Sequence, residues 1–116
     1  MSTDKIGVIG AGKIGVAMAR GIIRAGLASK ENVMASDVSD ALRGSIVQDL
    51  GIKATPDNTE LCSFADVVIL AVKPQIVDPV AREIAKKLGK TKLLVSVAAG
   101  VPLRRIETQA THHRQV

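Results

Sequence analysis

Ile6-Gly7-Val8-Ile9, a short run with strand character, passes without a break into Gly10-Ala11-Gly12-Lys13-Ile14-Gly15. A helical pattern follows at once, with Ile14, Met18, Ile22 and Ile23 recurring up to Gly26. A strand that turns into a helix through G-x-G-x-x-G has few folds open to it. In this context Gly10 permits the tight turn, Gly12 leaves the backbone bare for a pyrophosphate, and Gly15 lets the helix sit close on the strand. The N–H groups that open the helix then face an anion, aided by the helix dipole. An ordinary strand-to-helix loop would also use glycines, so a second signal is needed.

Asp37 supplies it. The residue ends the next strand-like run, Val33 to Ser36, 22 positions after Gly15. Dinucleotide folds place a ribose-binding carboxylate at about that separation, roughly 20 residues on. The plainer alternative for Asp37 is a helix-capping or surface carboxylate. As a ribose ligand it would accept from the adenosine 2′-hydroxyl of NAD and repel the 2′-phosphate of NADP. Ser36 and Arg43 offer a hydroxyl and a guanidinium that suit a phosphate, so the sequence leaves both cofactors open.

The rest of the chain repeats the alternation of short β-branched runs with helical patterns, which points to a parallel sheet with helices on both faces. Ser39 is placed to cap a helix carrying Leu42, Ile46 and Leu50, and Gly51 to end it. A strand at Ile52 to Ala54 leads through Pro56 to a brief helix with Leu61. Val67 to Val72 is apolar throughout, as a central strand buried on both faces must be. Pro74 and Pro79 bracket the entrance to a helix with Val80, Ile84 and Leu88, closed by Gly89. A fifth strand spans Leu93 to Val97, and Gly100 and Pro102 open a last turn or two carrying Leu103 and Ile106. The expected fold is an α/β Rossmann-type doubly wound parallel sheet, three-layered, in strand order 3-2-1-4-5. Residues 1–107 form the NAD(P)-binding domain and 108–116 an irregular tail.

Composition narrows the function classes. A chain of 116 residues is one domain in size, too short for a two-domain enzyme. With hydrophobic residues at 47% and charged ones at 23%, it is neither disordered nor fibrous. Phe64 is the only aromatic residue, so the core is aliphatic and a base-stacking nucleic-acid surface is not expected. The formal charge of +5 comes from basic residues spread along the chain. Their nearest approach to a cluster is Arg104, Arg105 and Arg114 with His112 and His113, read as a solvated surface. The single Cys62 cannot form an internal disulfide and suits a reducing compartment. No secretion signal or bilayer-length apolar run is evident, so a cytoplasmic or organelle-matrix location is expected, without membrane contact.

Competing chemistry finds no support. Gly7 to Lys13 fits seven positions of the NTP-binding loop G-x-x-x-x-G-K-[ST], but the eighth is Ile14, which has no hydroxyl for magnesium. His112 and His113 have no carboxylate or thiol at metal-ligand spacing, and no G-x-S-x-G nucleophile turn occurs. No residue stands out as a catalytic group.

Three segments carry a resemblance. Ile6 to Lys13, Ala71-Val72-Lys73-Pro74-Gln75, and Ser96-Val97-Ala98-Ala99-Gly100-Val101 resemble pyrroline-5-carboxylate reductase, over about Lys5 to Ile106. The first segment is shared with other dehydrogenases; the second and third together are more specific. The resemblance implies reduction of the C=N bond of 1-pyrroline-5-carboxylate to L-proline with NADPH or NADH, in proline biosynthesis. It places Gly10, Ala11, Gly12, Lys13, Ile14 and Gly15 at the pyrophosphate, Ser36 and Asp37 at the adenosine ribose, and Asn58 at the adenosine half. Ala71, Val72, Lys73 and Pro74 would line the nicotinamide-ribose side, and Ala98, Ala99 and Gly100 the approach to the ring. A solvated loop lysine is the alternative for Lys73.

This sequence departs from the family after Glu107. The family's sixth strand, its Met-Pro-Asn segment and the helical domain that binds substrate and makes the oligomer have no counterpart in these residues. Cofactor binding without appreciable turnover is therefore expected of the chain alone, and its fifth strand would lie at an open sheet edge. Two rival readings remain. One is a stand-alone NAD(H)-sensing regulatory module; the other is the N-terminal half of another imine or hydroxyacid dehydrogenase.

Overall fold

The computed structural model describes residues 4–85 and 93–96. Five strands, β1 (Ile6–Ile9), β2 (Val33–Ser36), β3 (Lys53–Thr55), β4 (Val67–Leu70) and β5 (Leu93–Ser96), form one sheet in the order β3-β2-β1-β4-β5. Every pairing is parallel. Four α-helices, α1 (Lys13–Arg24), α2 (Asp40–Leu50), α3 (Asn58–Phe64) and α4 (Pro74–Ala85), make the crossovers, with a short 3-10 turn at Lys30–Asn32 before β2.

Alternation along each strand divides the core in two. Val8, Val33, Ala35 and Ile69 pack on one face with Ala19 and Ile22 of α1 and Ile46 of α2. Ile9, Met34, Val68 and Leu70 pack on the other with Leu61 of α3 and Val77, Val80 and Ile84 of α4. The result is the expected three-layered α/β arrangement. Cys62 is buried in the second of these cores.

The helix ends follow local chemistry. Ser39 accepts from the amide of Leu42 at the start of α2, and Gly51 closes that helix at φ 70°. At the end of α1, Leu27 N–H reaches Ile22 O and Gly26 N–H reaches Ile23 O, both at 3.1 Å, with Gly26 at φ 74°. That crossed pair is the Schellman ending which glycine favours.

Several expectations need correcting. Pro79 lies inside α4 instead of bracketing its entrance; Pro74 alone opens the helix, where a missing N–H costs no bond. Gln75, whose carbonyl loses the Pro79 donor, is exposed on the same side as Pro79, so water can satisfy it. Ile14 does not belong to the buried stripe of α1: it is 50% exposed, and Gly15, Ala19 and Ile22 face the sheet. β4 lies between β1 and β5, as expected of an internal strand. β4 stops at Leu70, short of the expected Val72, and β3 begins one residue late, at Lys53; β5 spans Leu93–Ser96, and Val97 lies outside the described residues. Ile52 packs into the core just ahead of β3.

The registers bring the site together. Thr55 pairs with Ser36, Ser36 with Ile9, Ile9 with Leu70 and Leu70 with Ser96, so the last residues of all five strands stand in one transverse row. The segments that follow the strands consequently leave from the same edge of the sheet. The last turn with Leu103 and Ile106, and the tail at 108–116, lie outside the described residues.

Candidate functional site

The loop after β1 is shaped by what its glycines exclude. Gly10 has φ +112°, and a Cβ there would stand 2.5 Å from Ala71 O. A Cβ on Gly15 would stand 1.8 Å from Gly10 O, so the first turn of α1 rests directly on the glycine bend. Gly12 differs: a Cβ there would meet nothing within 4 Å. Its bareness answers no need of packing and leaves open space in front of the helix.

The start of α1 also differs from its neighbours. Ser39 caps α2 and Asp57 caps α3, each accepting a backbone N–H. Gly12 caps α1 without any side-chain hydrogen bond, and no acidic residue stands in its first turn. The orphan N–H groups and the positive end of the helix dipole there are thus left to an external anion. The residues present fit a dinucleotide's diphosphate at this place.

A cleft of about 340 Å³ opens beside this bend, within the roughly 300–1,000 Å³ of small-ligand sites. Gly10 and Gly12 line it from the end of β1, Ser36, Asp37 and Val38 from the end of β2, and Pro56 and Asn58 from beyond the end of β3. Ala71, Val72 and Lys73 enter from the end of β4, with Ile76 and Val80 of α4 behind them. This is the crevice outside the carboxyl ends of the strands where open α/β sheets hold ligands.

Its polar groups are held in fixed positions. Asp37 Oδ2 accepts from Ala11 N and Oδ1 from Ser39 N, each at 2.9 Å. The Asp37 carbonyl accepts from Arg43 Nη1 at 2.9 Å, and Arg43 Nη2 pairs with Asp40. The buried Ser36 hydroxyl donates to Asn58 Oδ1 at 2.6 Å, and Asn58 Nδ2 donates to Glu83 Oε1 at 3.0 Å.

Of the residues singled out in the sequence, Gly10, Gly12, Ser36, Asp37, Asn58, Ala71, Val72 and Lys73 line this one cleft. Ala11 is buried beneath it, Lys13 and Ile14 are exposed on α1, and Gly15 is packed under the bend. Pro74 opens α4 next to Lys73. Ala98, Ala99 and Gly100 lie outside the described residues. Sequence reasoning missed the apolar rim of Val38, Leu42 and Pro56. Its signal was available, since Val38 interrupts a polar Ser-Asp-Val-Ser-Asp stretch and is 89% exposed. Glu83 gave no signal, being 25 residues from Asn58 in the chain. Among the described residues, no group of three His, Cys, Asp or Glu is placed to hold a metal ion, and no helix is long and apolar enough to cross a membrane.

Known proteins are similar to this chain in sequence and in fold. A pyrroline-5-carboxylate reductase of Methanosarcina acetivorans is 42% identical over 107 residues, which are 92% of this chain and 40% of that protein. The structure of a pyrroline-5-carboxylate reductase from Coxiella burnetii superposes with a TM-score of 0.86 at 30% identity, covering 95% of this chain and 41% of that one. The crystal structure of Plasmodium falciparum pyrroline carboxylate reductase with NADP bound superposes at 0.80 and 30% identity, over 95% and 39%. The chain thus spans about 40% of the length of the curated relative. The family model described as NADP oxidoreductase, coenzyme F420-dependent, matches residues 5–100. A parallel sheet whose first crossover opens with a bare, uncapped helix start is the architecture such oxidoreductases need, and with that match the chain belongs to this family.

Proposed function

We propose that the chain binds NAD(P)H in the cleft and forms the cofactor-binding half of an enzyme that reduces the C=N bond of 1-pyrroline-5-carboxylate to L-proline. The observation that carries this reading is the meeting of an open α1 start with the ends of β2, β3 and β4 in one cleft. Its similarity to pyrroline-5-carboxylate reductases supports the substrate.

In this reading the backbone from Gly10 to Gly15 holds the pyrophosphate, and Ser36, Asp37 and Asn58 meet the adenosine half. Ala71, Val72, Lys73 and Pro74 flank the nicotinamide ribose, and Ala98 to Gly100 approach the ring. When bound, the reduced nicotinamide supplies the hydride. The chain's own contribution is placement: the glycine bend fixes the phosphates, while Val72, Ile76 and Val80 give an apolar wall that keeps water from the β4 side. We assign no substrate-orienting or oligomer-forming role to these residues.

Calorimetric titration of the 116-residue chain with NADH, NADPH and ADP-ribose tests the reading. A reductase half binds a reduced nicotinamide cofactor more tightly than ADP-ribose. Equal affinities would instead indicate a nucleotide sensor, and no binding would remove the dinucleotide reading. Assayed alone with pyrroline-5-carboxylate, the chain is expected to show little turnover; appreciable activity would overturn the division of labour.

A further inference from the structure

We propose that the cleft distinguishes the two redox states of the dinucleotide, holding the reduced nicotinamide more tightly than the oxidised one, and that Lys73 sets this preference. The proposal rests on the dinucleotide reading above, and three observations carry it.

The first is the side on which the nicotinamide must lie. The glycine bend that would hold the diphosphate follows β1, and β2 and β4 flank β1 in the sheet. With the adenosine half at Asp37, after β2, the other half of a dinucleotide laid across the bend falls on the β4 side. Lys73 lines the cleft on that side.

The second is the charge found there. Among the described residues that line the cleft, Lys73 is the one cation and Asp37 the one carboxylate. No ion pair among the described residues engages the Lys73 ammonium. The next residue, Pro74, opens α4, whose first turn carries no acidic side chain. The positive end of that helix dipole therefore adds to the lysine. Asp37 is held at the end of β2 by Ala11 N and Ser39 N. Two strand spacings, about 10 Å, separate β2 from β4, which is about one Debye length at physiological salt. The carboxylate thus offsets little of the positive charge on the β4 side.

The third is the surface behind that charge. Ala71, Val72, Ile76 and Val80 line the cleft beside Lys73, and an apolar wall weakens the screening of a neighbouring charge. A nicotinamide that has given up a hydride, two electrons with one proton, is left with one positive charge on its ring. The reduced ring is neutral, and the rest of the dinucleotide is the same in both states. A positive field on the β4 side consequently opposes the oxidised ring alone. The cleft keeps a hydride donor and lets go of the spent cofactor.

The chain contains no Trp and no Tyr, so NADH binding can be followed by the fluorescence of its own ring, and NAD⁺ and ADP-ribose by displacement of NADH. NADH is expected to bind at least about fivefold more tightly than NAD⁺. Lys73→Met keeps the apolar stem without the charge and should shrink that ratio about threefold, the modest size that solvent exposure of the lysine allows. Lys73→Arg should keep the ratio. ADP-ribose has both phosphates and no ring, so Lys73→Met should change its affinity by less than about twofold. Raising the salt about tenfold should also narrow the NADH-to-NAD⁺ ratio of the unaltered chain. NAD⁺ binding as tightly as NADH overturns the proposal, as does a ratio unmoved by Lys73→Met. An equal loss for NADH, NAD⁺ and ADP-ribose would place Lys73 on the phosphates instead. Should Lys73→Met not fold, a ratio indifferent to salt in the unaltered chain overturns the proposal. If none of the three ligands binds, the dinucleotide reading itself falls.

Discussion

Asp37 and Ala11 are joined across 26 positions of sequence: the carboxylate after β2 accepts the backbone N–H of the glycine turn after β1 at 2.9 Å. One side chain therefore ties together two of the loops that line the cleft. Asp37→Ala leaves the Ala11 and Ser39 amides without this acceptor and is expected to destabilise the fold by about 1–3 kcal/mol. Urea denaturation followed by circular dichroism measures it; an unchanged midpoint would mean that the turn keeps its shape without Asp37.

Gly12 and Gly15 should fail in opposite ways. Gly12→Val points into open space, so the folded spectrum should be nearly unchanged while dinucleotide binding is lost. Gly15→Ala drives a methyl to 1.8 Å from Gly10 O, forcing backbone shifts that cost about 3 kcal/mol or more. Normal cofactor binding by the Gly12 variant would show that the bend is not the diphosphate site.

Ile46 is fully buried between α2 and the sheet, whereas Ile14 is 50% exposed. Ile46→Ala is expected to lower stability by about 2–5 kcal/mol, and Ile14→Ala to change it by no more than about 0.5 kcal/mol. Thermal melts of the two variants side by side provide the comparison, and equal losses would contradict the packing described for α1.

Ser39 closes the start of α2 by accepting from Leu42 N at 3.2 Å. Ser39→Ala should cost about 1 kcal/mol, and Ser39→Gly only a few tenths more than nothing. Because the Ser39 backbone N–H, not its side chain, is bound to Asp37, cofactor affinity should survive both changes. A drop in affinity that exceeds the drop in stability would show that the cap also shapes the cleft.

Local chemistry carried much of the fold into the sequence. Ser39, Gly26 and Gly51 mark helix ends because capping and positive φ depend on the residue itself and a few neighbours. The strands were legible for a similar reason, since an internal parallel strand has to be apolar on both faces. Pro79 misled because proline's preference for helix starts is strong, yet an exposed helix face tolerates the missing donor. Ile14 misled because a helical stripe read from apolar residues alone overlooks glycine, and here Gly15 occupies the buried position. In the cleft, Gly10, Gly12 and Asp37 were readable from spacing. The chain from Ser36 through Asn58 to Glu83 was not, because its members come from three elements and meet only after folding.

The alignment of all five strand ends along one rim puts the cleft there and the turn after α1 at the other. There Gly26 and the half-exposed Leu27 turn the chain back toward β2, far from the glycine bend. A peptide tag or fluorophore spliced into that turn would ride on the same rigid sheet without approaching the ligand. The molecule is in this sense already divided into a working edge and a handle.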